Sequence, residues 1–126
     1  FVLLEDDKNA IEAYEQSLAR NPNRAQVLVA LSFLLAAAPD ESLRDAARAK
    51  SLAQGGLMLT GHKSPRALDA AAVTAAANQE WEAAQKLAEQ GLGLAEASKD
   101  DELVRVIKRR IRDYQKERPI SGFPPQ

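Results

Sequence analysis

Apolar residues along this chain recur at helical spacing, and breaks rich in proline, glycine and asparagine divide them into six segments. The first opens with acidic Glu5-Asp6-Asp7, carries Ile11, Tyr14 and Leu18 on one face, and runs to about Arg20. Asn21-Pro22-Asn23 ends it, because proline disfavours helix in the residue before it. A second helix, over about 24–38, has Val27, Leu28, Leu31, Leu34 and Leu35 as its main stripe. Its other side holds Val29, Ala30 and Phe33, so it is apolar almost all round and is expected to be covered on more than one face.

Pro39-Asp40 breaks the pattern, and Asp40 or Ser42 is expected to cap a third helix over about 43–59. Its buried side is read as Ala49, Leu52, Ala53, Gly56 and Leu59. Thr60-Gly61-His62-Lys63 is a turn, and Ser64-Pro65 supplies a cap followed by proline at the first helical position. The alanine-rich helix that follows runs from Pro65 to about Ala77. After Asn78-Gln79, a fifth helix from Glu80 to about Ala97 turns Trp81, Ala84, Leu87, Ala88, Gly91 and Leu94 inward. The last, about 101–117, shows Leu103, Ile107, Ile111 and Tyr114 as its stripe, and Pro119 stops it.

One spaced set of residues returns. Ala10, Tyr14, Ser17 and Pro22 lie at intervals of four, three and five, and the first three positions recur as Ala49, Ala53, Gly56 and as Ala84, Ala88, Gly91. Small side chains there let two antiparallel helices approach closely, which offsets the cost of about 1 kcal/mol per helical glycine at Gly55-Gly56. A unit of this size cannot bury its stripe alone, so its neighbours must stack on it.

Bulk composition changes this picture little. The 126 residues are enough for one domain, with 45% hydrophobic and 28% charged residues. A formal charge of −1 gives no global field that would recruit nucleic acid or anionic lipid. The chain has no cysteine, which excludes disulfides, thiolate metal sites and a thiol nucleophile and leaves the compartment open, cytoplasmic or periplasmic. No apolar run approaches the length of a membrane span. Phe1-Val2-Leu3-Leu4 meets Glu5-Asp6-Asp7 at once, so it reads as the end of a helix in a fragment from the C-terminal side of a longer protein.

The recurring positions resemble the tetratricopeptide repeat (TPR) family. Leu31-Ser32-Phe33-Leu34-Leu35-Ala36-Ala37-Ala38-Pro39-Asp40, Arg44-Asp45, Leu59-Thr60-Gly61-His62-Lys63-Ser64-Pro65 and Leu68-Asp69 are similar to a repeat pair near the C-termini of long bacterial TPR chains. Arg112-Asp113-Tyr114 and Arg118-Pro119 resemble the ending of that pattern. Phe33 and His62 stand where tryptophan is usual, and Ala71 and Ala75 where leucine and tyrosine are usual. The last repeat has therefore lost bulk, and its core is either tightly closed or filled by something else. The resemblance implies an all-α right-handed superhelix of antiparallel helix pairs with a C-terminal capping helix. Its units are a partial repeat at 1–23, repeats at 24–62 and 64–97, a cap at 100–118 and a tail at 119–126.

It also implies a role in protein–protein interaction, as a scaffold holding a peptide or helix in an apolar concave groove. Carried over residue by residue, the groove is Gln26, Val29, Ala30, Phe33 and Ala37 from one helix. Arg66, Asp69, Ala70, Val73 and Ala77 come from the next. The Lys and Asn residues that grip a terminal carboxylate in chaperone-binding relatives are missing. The alternatives from other classes are a non-catalytic substrate-positioning part of a larger enzyme, and a self-association module using exposed helix faces.

No constellation supports catalysis, a cofactor or a metal. His62 is the only histidine and sits in a turn, and Gly91-Leu92-Gly93 follows a helix and lacks a third glycine. Glu82 and Lys86 read as a surface pair. Segment 101–118 carries seven cations, Arg105, Lys108, Arg109, Arg110, Arg112, Lys116 and Arg118, against four anions. The plain reading is the solvated face of a capping helix whose charges complement its dipole; the sharper one is a docking strip for an acidic partner or phosphate backbone. No aromatic is interleaved on that basic face, which argues against single-strand stacking. In the tail, Ile120 and Phe123 are candidates to fold back onto an apolar patch.

Overall fold

A computed structural model describes residues 2–119. The expectations for Ile120 and Phe123 lie outside the described residues. Six helices, α1 (Val2–Arg20), α2 (Ala25–Ala37), α3 (Ala46–Leu59), α4 (Pro65–Ala77), α5 (Trp81–Ala97) and α6 (Asp101–Gln115), make an all-α fold, with no strand among the described residues. Each helix packs on the next, and α2 also packs on α4. The Asn78 side chain at the end of α4 donates to the Ala46 carbonyl at the start of α3, at 3.0 Å, so these two run antiparallel.

Close approach depends on the small positions. A Cβ placed on Gly56 of α3 would lie 2.9 Å from Val29 Cγ2 of α2, nearer than real Cβ contacts come. One on Gly91 of α5 would meet Leu68 Cβ at 3.3 Å and the Pro65 carbonyl oxygen at 3.4 Å. Ala49, Ala53, Ala84 and Ala88 are buried as the recurrence predicts. In α4 every residue from Ala67 to Ala76 is buried, because helices cover it on all sides. Ala71 and Ala75 thus sit in a core closed by its neighbours, which decides between the two alternatives for the lost bulk.

Three boundaries move. α1 runs unbroken from Val2 through Glu5-Asp6-Asp7, so these acids do not open it after the end of another helix. Residues 41–43 form a short 3-10 turn capped by Asp40, and α3 begins only at Ala46, with Asp45 accepting from the Arg48 N–H at 3.1 Å. The chain is held out of helix there because Arg44 Nε donates to the Ala38 carbonyl at 2.6 Å and the Asp45 N–H to that of Leu35 at 2.8 Å. At the other end, α6 closes at Gln115, two residues before the expected stop. Leu59 is 47% exposed rather than buried, since α3 is already ending there.

The helices from α3 to α6 end alike. In each, the residue after the C-cap has positive φ (Gly61 63°, Gln79 61°, Lys99 60°, Glu117 55°), and its N–H and the one after it return to carbonyls of the last turn. This Schellman closure satisfies carbonyls a helix end would otherwise leave open. Only the first uses glycine, the residue that adopts such φ without steric cost.

Candidate functional site

A cleft of about 620 Å³ opens between α2, the start of α4 and α6. From α2 come Gln26, Val29, Ala30 and Phe33, which share one helical face at spacings of three, one and three. From α4 come Arg66, Asp69 and Ala70, with Thr60 and Ser64 of the preceding turn. Ser64 accepts the Ala67 N–H at 3.1 Å and Pro65 sets the first helical φ, so the cap fixes where this wall begins.

Seven of the ten groove positions read from sequence therefore meet in one cleft. The other three do not reach it. Ala37 and Val73 are buried in the core, and Ala77 is half-buried against it, because the neighbouring helices already cover those parts of α2 and α4.

The third wall is α6, through Glu102, Leu103, Val106 and Arg110. Arg110 was expected on a solvated face, and the structure overturns this: it is only 4% exposed. Its guanidinium donates to Asp69 Oδ2 of α4, itself 6% exposed, and lies 4.9 Å from the centroid of the Phe33 ring of α2. One side chain thus joins three helices through an ion pair and a cation–π contact. The signal was present in the spacing: Leu103, Ile107, Arg110 and Tyr114 fall at intervals of four, three and four, so Arg110 occupies a place in the apolar stripe.

Burial pushes the Asp69 carboxyl above its ordinary value of 3.8; the charge and hydrogen bond of Arg110, and the charge of Arg66, oppose that rise. Burial, with the Asp69 charge behind it, also pushes the Tyr114 phenol above its ordinary 10.0. Tyr114 is accordingly a neutral neighbour of the pair. Asp69 Oδ1, Arg110 Nε and the Tyr114 hydroxyl are buried without a hydrogen-bond partner among the described residues. Two arginines, Arg66 and Arg110, balance two acids, Asp69 and Glu102, so the lining has no formal charge. Chemically the site offers apolar contact with Val29, Ala30, Phe33 and Val106 beside a fixed, neutralised polar pair.

Comparison with protein-family models, curated proteins and solved structures finds no match for this chain. What fold and site define is an all-α array of packed helices with a charge-balanced cleft between α2, α4 and α6. No described helix is long and apolar enough to cross a membrane.

Proposed function

We propose that this chain is a TPR-like interaction module that seats an apolar anchor of a partner polypeptide between α2, α4 and α6. The observation that carries this reading is the cleft itself, about 620 Å³ with an apolar lining and no formal charge. Size decides what it takes. One turn of an α-helix is about 5.4 Å long and 10–12 Å across, which fills about 500 Å³. The cleft therefore suits one turn, or one or two large side chains, rather than a long helix laid along an open groove. An uncharged occupant is favoured because a buried charge would find no net counter-charge in the lining.

Sequential packing, the contact of α2 with α4, and close approaches at Gly56 and Gly91 support the TPR-like part of the reading. In this view the pairs wind as a right-handed superhelix and the module serves as a scaffold within a longer bacterial protein.

The test is selection of peptides from a displayed library on the whole chain, followed by affinity measurement. Ala30→Glu and Val106→Glu put a charge into the cleft at half-buried positions. Each weakens the selected peptides at least about tenfold, while the far-UV spectrum is unchanged and Lys86→Glu, far from the cleft, has no effect. A selection without binders, or binders indifferent to both substitutions, overturns the proposal.

A further inference from the structure

We propose that the solvent face of α6 is a docking stripe for a short acidic helical segment of a partner protein. It is a second surface, independent of the cleft. Arg105, Lys108, Arg112 and Lys116 recur at intervals of three, four and four, and all are exposed. None of the four is ion-paired among the described residues. Elsewhere Arg48 pairs with Glu15, Lys50 with Glu80 and Arg66 with Asp100, and the cations without an ion pair, Lys63, Lys86 and Lys99 among them, stand singly rather than four along one helix face. The opposite face of α6 is committed to the core through Leu103, Ile107 and Tyr114, so the stripe faces outward with its charges unspent.

The extent of the stripe selects the kind of anion. At 1.5 Å per residue it is about 16 Å long, with charges about 4.5–6 Å apart. A partner helix carrying carboxylates at intervals of three and four presents the same spacing, and the two can lie side by side. A nucleic-acid duplex carries a charge every 1.7 Å or so of axis and continues past both ends. There it would meet a body of opposite tendency, since residues outside 101–118 hold ten cations against fourteen anions. Asp101 and Glu102 stand at the very start of the helix, and no apolar side chain lies between the four cations to enter a bilayer.

The experiment measures anisotropy of a labelled helical peptide with glutamates at intervals of three, four and four, titrated with the whole chain. Binding is expected at low salt and weakens several-fold at physiological ionic strength. Lys108→Glu combined with Arg112→Glu lowers affinity at least about tenfold, whereas Lys63→Glu combined with Lys86→Glu changes it less than about twofold. All four positions are exposed, so the folded state is retained and far-UV spectra verify it. A peptide with the same glutamates rearranged binds more weakly than the spaced one. Equal binding of the rearranged peptide, tighter binding of duplex DNA or phosphatidylserine vesicles, no binding at low salt, or indifference to the charge reversal each overturns the inference.

Discussion

The Arg110 guanidinium of α6 donates to the Asp69 carboxylate of α4 where both side chains are almost wholly out of water. The pair spans 41 residues of chain and fixes one wall of the cleft against another. Such a pair gives little net stability over an apolar replacement, because desolvating two charges offsets most of their attraction. Breaking it is a different matter.

Arg110→Met leaves a buried carboxylate alone and is expected to cost about 3 kcal/mol at neutral pH. The cost depends on pH with a definite sign. Burial already raises the Asp69 carboxyl, and Arg110 is its largest opposing influence, so the variant raises it further. A carboxyl whose folded pKa exceeds its unfolded one lowers stability above the unfolded value; that loss begins to shrink as pH falls below the folded value and is gone below the unfolded one. Denaturant unfolding should show the deficit of Arg110→Met shrinking on acidification towards the ordinary aspartate range. A deficit constant with pH would mean that Asp69 does not carry the charge.

Replacing both partners with apolar groups, Asp69→Leu with Arg110→Met, is expected to recover most of that loss. Comparing the double variant with the two single ones by the same unfolding measurement gives the coupling directly. Additive losses would show that the two side chains act separately.

Two glycines in α5, two residues apart, should respond in opposite directions to alanine. Nothing lies within 4 Å of a Cβ added at Gly93, so Gly93→Ala gains about 0.5–1 kcal/mol from helix propensity. At Gly91 the same methyl meets Leu68 Cβ and the Pro65 carbonyl, and backbone cannot move aside cheaply. Gly91→Ala is expected to destabilise by about 1 kcal/mol, the overpacking exceeding the propensity gain. Thermal unfolding of the two variants checks both signs.

Lys99 holds φ of 60° at an exposed turn between α5 and α6. An L residue pays roughly 1 kcal/mol for that conformation and glycine does not. Lys99→Gly should raise the unfolding temperature without changing the helical spectrum, as Gly61 already illustrates at the end of α3. A lowered unfolding temperature would show that the lysine side chain contributes more than its backbone costs.

By itself the sequence determined the helices, their order and their tight contacts. Helical period, Ser64-Pro65 and the recurring small residues are local signals, and local geometry answers to them: Gly56 and Gly91 lie where a neighbouring helix leaves no room for a side chain. It also brought together most of one cleft wall, since Gln26, Val29, Ala30 and Phe33 share a face of any helix that contains them. Only the tertiary structure decided that α6 closes that cleft, that Ala37 and Val73 are core, and that Arg110 is buried. The reason is physical. An arginine in a basic run looks solvated until its partner is known, and that partner, Asp69, is brought to it by the crossing of two helices that no short-range pattern specifies.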